Sequence, residues 1–141
     1  MSQEIALSDF PLKTYDKIRY GDTDRQGHVN NAVFATFLES GRVEILYNEA
    51  SPMADPGCAF VVVQLVLNFR AEVRWPGKIE IGTRVASVGR SSLRTEQALF
   101  QDGNCVATAE TTVVQMDETT RRSKPLSPGA IERLSSLKSA V

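Results

Sequence analysis

The segment Arg19-Tyr20-Gly21-Asp22-Thr23-Asp24-Arg25-Gln26-Gly27-His28-Val29-Asn30-Asn31 gathers residues able to do chemistry. It holds two carboxylates, an imidazole, two glycines and, at its end, the start of a helix. Asn30 is a favoured N-cap residue, so the helix opens at Asn31. The first turn of a helix carries backbone N–H groups without intrahelical acceptors, at the positive end of the helix dipole. Such a site suits a developing oxyanion. A carboxylate on the preceding loop can stand on the other side of a bound carbonyl. Donor on one side and carboxylate on the other are the minimum apparatus for acyl transfer to water. The same composition also describes a plain turn and cap, so spacing alone leaves both readings open.

Two further residue types border on this chemistry. His28 is the only histidine of the chain, and its position beside the two aspartates invites a general-base role. A lone loop histidine serves equally well as a hydrogen-bonder. Cys58 and Cys105 lie in strand-like surroundings, where a free cysteine behaves as a small buried hydrophobe. They have neither a CxxC spacing nor a second histidine to pair with, which argues against a metal site or a nucleophilic thiol.

The elements that must position the segment read as follows. Lys13 to Tyr20 predicts a short strand, and the Gly- and Asp-rich stretch to His28 an irregular loop. The helix from Asn31 to about Glu49 is apolar on more than one stripe, which predicts burial on most sides. Gly41 in its middle costs about 1 kcal/mol of helix propensity relative to Ala and predicts close approach of another backbone. Beyond a Ser51-to-Gly57 loop, Cys58 to Arg74 is β-rich, with Val61, Val63, Leu65, Leu67 and Phe69 on one face as a core stripe. Ile79–Val88, Ser92–Gln101 and Cys105–Met116 follow, separated by Pro76-Gly77, Gly89-Arg90-Ser91 and Asp102-Gly103-Asn104 turns. Short turns between four strands predict an antiparallel meander. Ser127-Pro128 caps a short terminal helix. The inventory predicts an α+β fold in which one sheet curls around one long helix.

Composition excludes several classes. Of 141 residues, 16 are basic and 17 acidic, for a net charge of −1, so no broad field attracts nucleic acid. No apolar run reaches the ~20 residues of a membrane span. The opening Met1-Ser2-Gln3-Glu4-Ile5 has no leader signature. The expectation is a reduced, cytoplasmic protein forming a single domain over residues 1–141.

The run from Tyr20 to Phe34 resembles the signature of the hotdog-fold acyl-CoA thioesterases of the 4-hydroxybenzoyl-CoA thioesterase type. That signature is an aromatic residue, Gly or Glu, then Asp-x-Asp-x-x-Gly, with a helix opening shortly after. Glu39 and Arg42, the Gly89-to-Ser92 turn, Asp102-Gly103 and Pro125-Leu126 fit the resemblance more weakly. It implies the hotdog fold, an antiparallel sheet of about five strands wrapped around a central helix. Asp24 would then drive hydrolysis of an acyl-CoA or acyl-carrier-protein thioester to free acid and thiol, as nucleophile or general base. Asp22 would orient the loop, and the backbone N–H of Asn31 would polarise the carbonyl. Gly27 would let the loop fold close to the ligand, and Phe34, where many relatives carry Tyr, would pack under the acyl group.

The resemblance also places Arg90 and Ser91 near the CoA phosphates or pantetheine arm, and a guanidinium suits phosphate geometry. Arg121, Arg122 and Lys124 form a second small basic cluster. Gln64 interrupts an apolar strand and faces the ligand, a partner subunit or solvent. No metal or redox cofactor is implied, and the expected assembly is a homodimer or homotetramer with sites between subunits. Two other functions compete: a non-catalytic acyl-thioester-binding module, and a hotdog hydro-lyase acting on acyl thioesters. The hydratase motif of Asp and His expected for the latter is missing.

Overall fold

A computed structural model describes residues 4–139 of the chain. Met1, Ser2 and Gln3, part of the stretch without leader signature, lie outside the described residues. The elements are β1 (Leu12–Lys17), α1 (Asn31–Leu46), β2 (Cys58–Phe69), β3 (Lys78–Val88), β4 (Ser92–Gln101), β5 (Asn104–Asp117) and α2 (Pro128–Ser135). β1 is shorter than its sequence predicts because Tyr20–Asp22 turns as a 3₁₀ segment. Asp102 and Gly103 both adopt positive φ, at 52° and 83°, the backbone a tight primed hairpin turn demands. Ser127 caps α2 by accepting from the Ala130 N–H, with Pro128 at the first helical position.

The five strands form one antiparallel sheet in the order β1-β3-β4-β5-β2. The four-strand meander expected from the turns is therefore wrong at its first step. β3, β4 and β5 do meander, but β2 crosses to the far edge beside β5, and β1 takes its place next to β3. The reason is the connection Arg70–Gly77, which is too long for a tight hairpin. It runs past the end of β5, where Val106 O accepts from the Arg70 and Ala71 N–H groups at 2.8 and 3.1 Å. The Gln101 side chain, at the end of β4, then holds both backbone groups of Arg74, at 3.2 and 2.7 Å. Finally Gly77 O accepts from Ile18 N–H at 2.9 Å beside β1.

α1 lies against β1, β3 and β4. It is not buried on most sides: Phe34, Phe37, Leu38, Ile45 and Leu46 are buried, whereas Ala32, Val43 and Tyr47 are exposed. One sheet covers one side of a helix, and apolar residues on the other remain uncovered. Gly41 does mark close approach, but of side chains rather than backbone. A Cβ there would stand 2.6 Å from Gln97 Nε2 and 2.8 Å from both Ile81 Cγ2 and Thr83 Oγ1.

A polar belt separates two of the three apolar clusters, one around Phe37 and Ile81 and one around Ile45 and Leu134, while a third gathers Phe10, Ala98 and Phe100. Gln97, almost fully buried, donates to Leu38 O at 2.9 Å and to Thr83 Oγ1 at 3.0 Å. Arg42, also buried, reaches Gln97 Oε1 and Thr111 Oγ1 at 3.4 and 3.5 Å. Burial lowers the Arg42 pKa, and the charge of Glu39 acts against that.

The apolar stripe of β2 departs most from expectation. A bulge between Val62 and Gln64 shifts the register by one residue, so Val61 faces away from the helix while Leu65, Leu67 and Phe69 face toward it. Nor is most of the stripe core in this chain, although Leu67 packs half-buried against the Phe37 cluster. Val63 is 59% exposed and Phe69 51%, because β2 is an edge strand with no neighbour on its outer side. Among the described residues no helix is long and apolar enough to cross a membrane.

Candidate active site

The loop before α1 is held by its two aspartates in different ways. Asp22 is buried and accepts from the Arg19 backbone N–H at 2.9 Å, with the Arg19 guanidinium at 3.4 Å. Its carbonyl accepts from Asn30 N–H at 2.8 Å, tying the loop to the helix start. Asp24 is exposed, and its Oδ1 accepts from Gln26 N–H at 2.9 Å and His28 N–H at 3.3 Å. Oδ2 has no protein partner among the described residues. The loop closes where Asp24 N–H meets His28 O at 2.7 Å and Gly27 N–H meets Asp24 O at 3.0 Å. Gly27 takes a φ of 83° with no atom near a virtual Cβ. Glycine is needed there for the left-handed turn, with open space beside it.

Asn30 caps α1 by accepting from Ala32 N–H at 3.0 Å through Oδ1. Its carbonyl accepts from Val33 N–H at 2.9 Å. These bonds serve the second and third residues of the helix. The Asn31 N–H meets no protein acceptor among the described residues, which leaves it free at the positive end of a 16-residue helix.

A cavity of about 300 Å³ opens between this loop and the crossover after β2. Asp24, His28, Asn31, Phe34, Phe69 and Glu72 line it. Phe34 is buried and meets Phe69 edge to face, with ring centroids 5.0 Å apart, forming an apolar wall. Another part of the lining, His28 and Glu72, is polar. His28 Nε2 lies 3.0 Å from Glu72 Oε2, and Arg74 approaches the same oxygen at 3.5 Å.

Five of the residues singled out in the sequence, Asp24, Gly27, His28, Asn31 and Phe34, thus fall on one loop and helix start, and all but Gly27 line the cavity. Three do not join them within one chain. Gln64 is exposed on the outer face of β2, across from Thr112. Arg90 and Ser91 sit in the β3–β4 turn, whose carbonyls are held by Leu126 N–H and Gln115 N–H, each at 2.8 Å. That turn lies at the opposite end of the sheet from Asp24, since Ser92 pairs with Val114 and Phe69 with Ala107. Sequence reasoning misses Phe69 and Glu72 as site residues. Phe69 reads as core, and Glu72 carries no local signal, because its partner His28 is far away in sequence.

Fold and site together define a class: an α+β hotdog domain that presents a loop carboxylate and a free helix-start amide to one cavity. The chain belongs to the thioesterase-like superfamily, which matches residues 18–134, and is a thioester hydrolase. It is 30% identical over 116 residues to the acyl-CoA thioester hydrolase YbgC of Escherichia coli, covering 79% of this chain and 83% of that one. It is 30% identical over 127 residues to the long-chain acyl-CoA thioesterase FadM of Escherichia coli K12, covering 87% and 96%. Among solved structures it superposes, with a TM-score of 0.78 and 27% identity, on a thioesterase from Thermus thermophilus complexed with coenzyme A and Zn. That likeness covers 92% of this chain and 96% of the other.

Proposed function

We propose that this chain hydrolyses acyl thioesters of CoA or of an acyl-carrier protein, with Asp24 as the essential carboxylate. One observation carries the reading: Asp24, the Asn31 N–H and the Phe34–Phe69 wall share a single cavity. A thioester needs those three things. Its carbonyl oxygen takes the free amide, its acyl group takes the aromatic wall, and its carbon faces Asp24 Oδ2 for direct attack or attack by an oriented water. Loss of one oxyanion donor typically costs about 10²–10³ in turnover, but a backbone donor cannot be removed by side-chain substitution. The test therefore falls on the carboxylate. Asp24→Asn keeps an oxygen to accept from Gln26 and His28 and removes only the charge. Release of free thiol from a panel of acyl-CoAs should fall by about 10² or more. Equal rates for Asp24→Asn and wild type would end the assignment.

The edge of β2 supports a second part of the reading, a homodimer. An unpaired strand bearing Val62, Val63, Val66 and Phe69 in the open is a template for pairing. A second copy laid antiparallel along β2 would bring its Cys58 end beside the Phe69 end of the first. The partner's β3–β4 turn would then approach this cavity. Arg90, Ser91 and Gln64 would act from across the interface, on the phosphates or pantetheine arm of a CoA thioester.

A further inference from the structure

We infer that Arg42 closes the far end of the acyl-binding trough and selects an acyl thioester whose remote end carries a carboxylate. This rests on the hydrolase reading and deepens it by naming the substrate class. Arg42 is buried, with 8% of its surface exposed, yet its guanidinium is poorly partnered. Only Nη1 donates, to Gln97 Oε1 at 3.4 Å and Thr111 Oγ1 at 3.5 Å, both long for a charged donor. Among the described residues Nε and Nη2 have no protein acceptor, and no carboxylate pairs with the group. A second buried group beside it is orphaned. Thr95 stands opposite Thr111 across β4 and β5, on the same face of the sheet, and its Oγ1 has no partner. The Gln97 amide is already committed to Leu38 O and Thr83 Oγ1. A cation and a hydroxyl left unsatisfied in a core are costly. One ligand answers both: a carboxylate, which matches the guanidinium fork and accepts from a threonine hydroxyl.

The way to that ligand starts at the cavity. On α1, Asn31, Ala35, Leu38 and Arg42 recur at helical spacing and form one stripe. The helix rises about 16 Å from Asn31 to Arg42. On β2, Phe69, Leu67 and Leu65 face the helix side, opposite the buried Ala107, Ala109 and Thr111 of β5. They span about 13 Å of strand. They also stay open, Phe69 at 51% exposure and Leu65 at 38%. Helix and strand lead to the same place, because Arg42 reaches Thr111, the register partner of Leu65. An acyl chain laid from the Phe34–Phe69 wall along this apolar floor therefore meets the guanidinium at its far end. A terminal methyl group there would leave Arg42 and Thr95 unpaired, whereas a terminal carboxylate satisfies both. A site built to hydrogen-bond a substrate group discriminates strongly against the analogue that lacks it.

The test compares thiol release from CoA thioesters of matched length that end in a carboxylate or in a methyl group. At the length that spans the trough, wild type should prefer the carboxylate-ended thioester in kcat/KM by about tenfold or more. Arg42→Met keeps the reach of the side chain and drops its charge, and should bring that ratio to about one or below. Thr95→Val keeps the shape and drops the hydroxyl, and should lower the ratio by about threefold or more. A wild type that prefers the methyl-ended thioester at every length would overturn the assignment. So would a folded Arg42→Met with an unchanged ratio. If that variant also turns a dimer into a monomer, the cation belongs to the subunit interface instead. A second readout needs neither turnover nor a variant. In calorimetry, wild type should bind a free dicarboxylic acid about tenfold or more tighter than the monocarboxylic acid of equal length, and equal binding would refute the site. Tighter binding of the diacid without thiol release from any thioester would end the hydrolase reading and uphold the carboxylate site.

Discussion

Asp22 and Asp24 are two residues apart, yet they belong to different parts of the molecule. Asp22 is buried and spends its oxygens on Arg19, whereas Asp24 is exposed and keeps Oδ2 free. Replacing Asp22 with Ala leaves a part-buried Arg19 N–H without its acceptor, at a cost of about 1–3 kcal/mol. Thermal unfolding should show this as a lowered Tm. Replacing Asp24 with Asn should do the reverse, leaving Tm near wild type while thiol release collapses. The Asp-x-Asp spacing in the sequence is enough to find both residues. The resemblance implies a division of labour with the second aspartate as the reactive one, and that aspartate is the exposed one. Glu72 is not readable. A pair formed between a loop and a crossover exists only once the chain has folded, and neither partner has a neighbour that announces it.

Among the elements, α1 shows how much local pattern can tell and where it stops. Asn30 as cap and Asn31 as first residue are both legible, because capping is a matter of adjacent residues. Which side of the helix is covered is not, because that depends on how many sheets pack against it. Gly41 lies between these cases: its cost predicts a close neighbour, while the neighbour's identity requires the fold. Gly41→Ala would gain about 1 kcal/mol of helix propensity. It would also drive a methyl group into Gln97, whose amide is already bonded to Leu38 O and Thr83 Oγ1. Overpacking of this kind costs about 1–3 kcal/mol, so the net effect should be destabilising. Denaturant unfolding of Gly41→Ala should give a lower midpoint than wild type, and a higher one would refute the account. The strand order escapes the sequence for a related reason. Hairpins announce themselves by short turn sequences such as Asp102-Gly103, but a crossover such as Arg70–Gly77 has turn residues at its end without being a turn.

At the scale of the whole molecule, the described chain presents an incomplete surface. Its far edge carries apolar side chains in the open, and its cationic turn at Arg90 is at the wrong end of the sheet for its own cavity. The proposed pairing along β2 would cover the first and carry the second to a partner's cavity. Val63→Lys places a charge on that edge, a common natural device against strand pairing. Light scattering should report a dimer for wild type and a monomer for Val63→Lys. On the proposed pairing, in which the phosphate contacts would come from the partner, the monomer should also lose turnover of acyl-CoA. A wild type that is monomeric at assay concentration would remove the proposal.

The irregularity between Val62 and Gln64 reaches further than its size suggests. Side chains alternate sides along a strand, so one surplus residue inverts every position that follows it. The bulge absorbs that inversion, so Phe69 stays opposite the buried Ala107 and faces Phe34. Deleting Val63 would remove the surplus residue and restore a uniform ladder with Val62 still opposite Val113 and Phe69 still opposite Ala107, so the Phe34–Phe69 wall should survive the deletion. The bulge thus lets this strand take up an odd number of residues upstream of Phe69 while keeping that ring on the helix side.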